Sequence, residues 1–399
     1  MFPPSTPTHR MLPASRSSRS AYICTRCLRQ QQPRRLYSSP PAKPPPPPPP
    51  SSGAVKLSNR RLVSLHGPEA PKFLQGIITN NVRGDSRSGF FAAFLTAQGK
   101  VLNDVFVYPT LGSQWHGQVN KDEEPGFLVE FDGEDVEKFL KHVKRHKLRA
   151  KLALRLLDEG ELEVWSKWDD GERWTAHTQQ DPATSDGAIG LTDCRASGMG
   201  QRLLLPSGNV AELEGVEEAP LSAYTIRRYL RGVPEGQKEI PREELLPMNA
   251  NFDLMKGIDF KKGCYVGQEL TIRTHHTGVV RRRILPVALY DRSSDAPEKL
   301  DYDASSAFVP PEHDTDIRRD DKKKRATGKL IGSVGNVGLG MCRVEQMTDL
   351  VVSGEGSSFS AEDRFFVPTP DGTELGLKAF VPDWIRGQIR APKVQRRVE

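Results

Sequence analysis

The chain has 399 residues, with 57 Lys and Arg against 51 Asp and Glu, and 36% of its residues are hydrophobic. That length allows two or three domains, and no apolar run approaches the ~20 residues that a membrane-spanning helix needs. The basic excess sits in the first 37 residues, which hold seven arginines and no acid; without them 50 basic residues face 51 acidic ones, which gives no support for a nucleic-acid partner.

An Arg-rich, Ser-rich N-terminus with no Asp or Glu before Glu69 has the composition of an organelle transit peptide. Arg35-Leu36-Tyr37-Ser38-Ser39 resembles a matrix-peptidase cleavage site, so residues 1–37 read as a presequence for the mitochondrial matrix. The CxxC pair Cys24 and Cys27 lies inside it and reads as coincidence. Residues 38–53, with seven consecutive prolines from Pro44 to Pro50, read as a disordered, stiff polyproline II linker.

From Leu57 to His66 the residues alternate as in a strand. Pro68-Glu69 opens a helix whose apolar face is Phe73, Leu74, Ile77 and Ile78. Phe90–Thr96 and Lys100–Tyr108, joined across Gln98-Gly99, predict a hairpin. A strand at Phe127–Phe131, a helix at Asp135–Lys147 and strands at Lys151–Leu157 and Leu162–Trp168 follow. A polar loop from Trp168 to Gly187 leads to strands at Ile189–Arg195 and Arg202–Pro206 and a helix at Ala223–Gly232. That pattern is an α+β fold. After Arg283 short strands suggest a small antiparallel barrel over 284–385, interrupted by a disordered polar insertion at 291–326 and followed by a basic tail at 386–399. The glycines 332, 335, 338 and 340 read as barrel hairpin residues, because no GK[ST] or GxGxxG stands between a strand and a helix there.

The most informative stretch is Lys262-Gly263-Cys264-Tyr265-Val266-Gly267-Gln268-Glu269. It sets one thiol between glycines that permit a tight loop, beside Lys261 and Lys262, whose charge would favour the thiolate. The plain alternative is that Cys264 is a small buried hydrophobe. His275 and His276 have no third ligand at metal-binding spacing and read as solvated loop residues. With Cys194 and Cys342, the chain beyond residue 37 has three scattered thiols, too few to hold an iron–sulfur cluster that normally takes four protein ligands.

This octet, with Asn251–Phe260 before it and Leu270–Arg282 after it, resembles the signature of the YgfZ-type branch of the glycine-cleavage aminomethyltransferase superfamily, in particular the branch's mitochondrial iron–sulfur cluster assembly factors. Gly67–Asn80, Asp193-Cys194-Arg195 and Met199–Arg202 are similar to further family segments, so the resemblance covers about residues 55–385. It implies two interlocked α+β domains over 54–283 around a central pocket that binds tetrahydrofolate, and a C-terminal barrel. It also implies maturation of [4Fe–4S] proteins with A-type scaffold proteins. Cys264 would be a cluster ligand or exchange thiol shared with the partner, on a transient cluster. Asp104, Asn249 and Arg273 are the residues the resemblance implies for folate. The aminomethyltransferases carry Gly-Gly-x-x-Asp-Asp where this chain has Gly99–Asp104, with Asn103 in place of one acid. An amide is no general base, so that proton transfer loses its acceptor. Asn249 likewise stands where the family commonly has Glu. The expectation is therefore an assembly factor rather than an enzyme; the alternative is a folate-dependent one-carbon (aminomethyl) transferase.

Overall fold

The computed structural model describes residues 44–82, 87–120, 123–171, 188–208, 213–321, 325–353 and 356–389. The segment expected to be a presequence, most of the polar loop after Trp168 and the end of the basic tail lie outside them. In chain order the first half contains β1 (Ser52–Lys56), β2 (Arg60–His66), α1 (Ala70–Ile77), β3 (Phe90–Leu95), β4 (Val101–Pro109), α2 (Gln114–Val119), β5 (Gly126–Asp132), α3 (Val136–Lys147) and β6 (Ala153–Leu156). Then come β7 (Glu163–Asp169), β8 (Ile189–Thr192), β9 (Gln201–Leu205), α4 (Leu221–Arg231) and α5 (Gln268–Thr277). The C-terminal part holds β10 (Arg282–Asp291), β11 (Thr315–Arg319), β12 (Ala326–Val334), β13 (Val337–Arg343), α6 (Val344–Met347), β14 (Phe365–Pro368), β15 (Glu374–Ala379) and α7 (Asp383–Arg386).

One sheet has the order β3-β4-β5-β2-β6 and another β1-β7-β9-β8. Neighbours in sequence, β1 and β2 go to different sheets, so the two α+β units interlock at the start of the chain. Helices α1 and α3 cover one face of the five-stranded sheet, because Phe73, Leu74, Phe139 and Val143 recur at helical spacing and all are buried. Phe139 stacks on Phe131 at 4.0 Å and meets Phe94 edge-on at 5.2 Å. The other face carries Phe91, Phe106 and Tyr108 into a core shared with Trp168, Leu204 and Tyr224 of the second unit. The remaining strands close into an antiparallel barrel, β10-β13-β12-β11-β14-β15.

Three expectations need correction. Ser52 and Gly53, placed in the linker, begin β1; Ala54 and Val55 are buried against β7, which gives that edge an apolar partner. Pro44–Pro50 also lean on the fold, with Trp168 Nε1 donating to Pro50 O at 3.0 Å and Tyr302 Oη to Pro46 O at 2.5 Å. The insertion at 291–326 supplies β11, whose Ile317 is buried in the barrel core, and Asn336 holds Asp303 N and Asp301 O. Its low apolar content hides a strand that needs only one inward side chain. Finally, Gln268–Thr277 is a helix, so His275 and His276 stand in its last turn rather than in a loop.

Candidate functional site: the signature loop and its supports

The signature loop packs against the end of α1 and leads directly into α5. Its anchor is Lys262. The Nζ donates to three backbone carbonyls at the end of α1: Gln75 O at 2.8 Å, Ile78 O at 2.7 Å and Asn80 O at 2.8 Å. Helix α1 has no basic residue in its own last turn, so Lys262 supplies the positive charge that a helix C-terminus favours. Burial pulls its ammonium down to about 8, while three carbonyls at once can be satisfied only by the charged form's three N–H groups. Lys262 is thus a clamp on the loop, and its charge is turned to the backbone rather than offered to the thiol.

Beyond it, Val266 N donates to Gly76 O at 3.0 Å. Gln268 closes the turn reciprocally: its side-chain carbonyl accepts from Tyr265 N and its own N donates to Tyr265 O, both at 3.3 Å. Tyr265 is buried, Lys262 Nζ lies 4.9 Å from its ring centroid, and Glu269 is exposed in the first turn of α5, where a carboxylate suits the helix dipole. Gly267 has φ +79°, and a Cβ there would come within 2.2 Å of Thr96 O in the β3–β4 turn. Gly263, by contrast, has open space around it. Between these fixed points Cys264 is exposed.

The segment leading in is equally held. Thr79 Oγ1 donates to Gly257 O at 2.6 Å, Asn80 Nδ2 bridges Phe91 O and Lys256 O, and the Phe260 ring stacks on His275 at 3.6 Å. Beside it lies a cavity of about 810 Å³ lined by Phe90, Phe91, Cys194, Lys256, Lys261 and His275 among others. Cys194, treated in sequence as ordinary, is a half-buried thiol at this cavity; burial raises it, as burial pushes Cys342 in β13 up to about 12.

Among the described residues no hydrogen bond or ion pair links Asp104, Asn249 and Arg273 to one another. Asp104 is 1% exposed; its Oδ2 accepts from Arg60 Nη1 at 3.1 Å and its Oδ1 from Gly236 N at 3.1 Å. Burial raises its carboxyl, with Arg60 pulling the other way. Asn249 donates to Arg282 O at 2.9 Å and borders a separate cavity of about 280 Å³, and Arg273 is exposed on α5. As a set they do not fit a folate cradle. Asn103 is engaged elsewhere, since its Nδ2 donates to Asp135 Oδ2 and its Oδ1 accepts from Arg242 Nη1, both at 2.9 Å.

Asp104 belongs instead to a charge network in the middle of the molecule. Arg60 joins it to Glu130, Arg202 joins Glu130 to Glu235, and Arg195 pairs with Asp193, all with side chains 0–2% exposed. Tyr224 donates to Glu235 at 2.8 Å and Tyr108 to Glu130 at 2.7 Å. Burial pushes the Glu235 carboxyl up, but Arg202, Arg195, Arg60 and Arg228 hold it well below the usual carboxylate range. Sequence reasoning did not find this cluster. Among the described residues no three His, Cys, Asp or Glu side chains are grouped to hold a metal ion.

Two interlocked α+β units and a terminal barrel define an aminomethyltransferase-like fold. The crystal structure of the glycine cleavage system aminomethyltransferase T from Bartonella henselae matches it with a TM-score of 0.58 at 14% identity, over 86% of this chain and 88% of that one. Residues 281–387 match the family model of the CAF17 C-terminal beta-barrel domain. A Pyricularia oryzae protein is 47% identical over 390 residues, spanning 93% of this chain and 94% of its own length. One from Neosartorya fischeri is 44% identical over 372 residues (85% and 83%), and one from Neurospora crassa 38% over 422 residues (96% and 93%). All three are named iron–sulfur cluster assembly factor IBA57 homolog, mitochondrial. The chain belongs to the IBA57 family of mitochondrial iron–sulfur cluster assembly factors.

Proposed function

We propose that this chain serves the maturation of [4Fe–4S] proteins in the mitochondrial matrix, with Cys264 as a thiol that meets a cluster carried by an A-type scaffold protein. The cluster is cargo: one exposed thiol supplies one ligand or one exchange site, and the remaining ligands come from the partner. The observation that carries this reading is the contrast between an exposed Cys264 and its rigid surroundings, where Lys262 and Gly267 fix the loop to α1 and the β3–β4 turn.

The competing reading, a one-carbon transferase, needs a carboxylate free to move a proton. Asn103 is held between Asp135 and Arg242, and Asp104 between Arg60 and Gly236. That supports a role without catalysis. We assign any bound tetrahydrofolate to the 810 Å³ cavity, whose volume is in the usual range for small-molecule sites and whose walls include Phe90, Phe91 and Lys256. Folate is given no step in cluster transfer. Calorimetric binding that Lys256→Glu weakens and Asp104→Asn leaves unchanged in the folded variant is the expected result.

The decisive test of the main proposal is complementation by single Cys→Ser variants. Cys264→Ser should accumulate and melt normally while matrix [4Fe–4S] enzymes lose activity. Cys342→Ser, whose thiol is buried in the barrel, and Cys194→Ser should retain that activity wherever protein levels hold. Full rescue by Cys264→Ser at normal protein levels would refute the thiol's role. Anaerobic mixing with an A-type partner and an iron–sulfur donor adds a direct readout, a chromophore that needs both chains and Cys264.

A further inference from the structure

Beyond the opposite end of α1 from the cysteine loop, α3 ends in a feature that none of this chemistry uses. Its core face buries Phe139 and Val143, while Lys141, Lys144 and Arg145 are exposed on the opposite side. Arg149 and Lys151 follow, and Lys72 joins from α1, all three exposed. Among the described residues none of Lys72, Lys141, Lys144, Arg145 or Arg149 forms an ion pair, although the protein elsewhere pairs its cations freely. The chain beyond residue 37 is close to neutral, so this is a local concentration of unpaired charge rather than a general excess.

At its centre stands Leu148, 85% exposed, the most exposed large hydrophobic side chain among the described residues. It closes α3 with φ +46°, a conformation that a leucine rarely adopts. The turn leaves an exposed apolar side chain between Lys147 and Arg149, with Lys72 on the same hollow. That hollow, of about 640 Å³, is bounded by Lys72, Phe73, His146, Lys147 and Arg149. Glu69 also borders it, but its carboxylate accepts from Lys151 N at 2.5 Å.

We propose that this corner docks the protein peripherally on an anionic phospholipid bilayer, with Leu148 entering the acyl boundary and the surrounding cations meeting headgroup phosphates. Interfacial binding combines these two terms, apolar insertion and attraction to anionic lipid. An acidic protein would need the charge alone and would leave an 85% exposed leucine without a purpose. Single-stranded nucleic acid would call for stacking aromatics, and the exposed rim of this patch offers none. No helix among the described residues is long and apolar enough to cross a membrane, so the contact is with the surface.

The test uses the protein purified from mitochondria in its processed form, so that the Arg-rich N-terminal segment does not supply the binding. It is sedimented with vesicles of phosphatidylcholine alone and of phosphatidylcholine enriched in phosphatidylglycerol. The expected result is binding to the anionic vesicles only, weakened by salt. Leu148→Ser and the triple variant Lys141→Glu, Lys144→Glu, Arg149→Glu should each lower it about tenfold or more, with melting temperatures near the parent's. Equal binding to neutral vesicles, or none to anionic ones, overturns the proposal. So does binding that the triple variant abolishes, Leu148→Ser leaves unchanged and soluble polyglutamate competes away; that outcome assigns the patch to an acidic macromolecule instead.

Discussion

Lys262→Met tests whether the signature loop is clamped as described. The substitution keeps an unbranched apolar stem but removes three N–H···O bonds of 2.7–2.8 Å to Gln75, Ile78 and Asn80. Bonds from a charged donor are worth at least about 1.5 kcal/mol each, so the gross loss is about 4–5 kcal/mol. Against that, methionine does not have to be desolvated, and relief of that cost leaves a net loss of roughly 2–3 kcal/mol. For a chain of this size such a loss lowers the melting temperature by about 3–4 °C. Thermal denaturation followed by circular dichroism measures it. Because the clamp acts on the loop, amide exchange over residues 263–269 should accelerate and the reaction of Cys264 with a thiol reagent should quicken. Lys262→Arg should recover only part of the loss, since a planar fork cannot aim donors at three carbonyls converging on one point. Melting within about 1 °C of the parent, with unchanged labelling of Cys264, would refute the clamp.

Restoring the family acid with Asn103→Asp should cost about 2–4 kcal/mol at neutral pH, because it removes the donor to Asp135 and sets two buried carboxylates against each other; equal melting at pH 7 would contradict this, and no aminomethyl transfer should appear. Gly267→Ala meets Thr96 O at 2.2 Å in a left-handed conformation and should lose roughly 3 kcal/mol or more, whereas Gly263→Ala has open space and should change stability by no more than about 1 kcal/mol, as urea midpoints can show. His142 is lowered to about 4 by burial, then by His146, Arg242 and Arg145. The unfolded chain therefore takes up this proton from about pH 6.5 downward and the folded one only near 4, so roughly 1–2 kcal/mol of stability, discounted for partial exposure, disappears as pH falls through that window. His142→Gln should flatten the urea midpoint against pH there; identical slopes for the two proteins would sink the assignment.

The hairpin, the helices over 135–147 and 223–232 and the barrel strands were legible because each is written in local periodicity, and the Gln98-Gly99 turn in local chemistry. The exposed loop position of Cys264 was legible because a glycine-flanked thiol is visible without any contact being known. Lys262 was misjudged for the opposite reason. From sequence it is a cation two residues from a thiol, but its partners Gln75, Ile78 and Asn80 lie more than 180 positions away, and they are backbone atoms that sequence does not mark. Helix α5 was missed because its only buried residue is Thr271, so no apolar stripe announces it. β1 was missed because its partner is β7, more than 100 residues on, and its leading Ser-Ser-Gly reads as linker.

The buried charge network explains how the aminomethyltransferase-like interior and the exposed thiol can coexist in one chain. A carboxylate that is to accept a proton must be able to leave its partners; Asp104, Glu130, Asp193 and Glu235 are each tied to an arginine with side chains 0–2% exposed. Removing one member strands a buried charge, which costs about 3–5 kcal/mol, so the network is constrained as a unit. Arg60 links β2 to β4 and β5, and Arg202 links β9 to β5 and to the segment after α4, so these ions join the two interlocked units at their middle. The interior's charges are engaged in holding that geometry, while Cys264 is exposed outside the core on a loop fixed by Lys262 and Gly267.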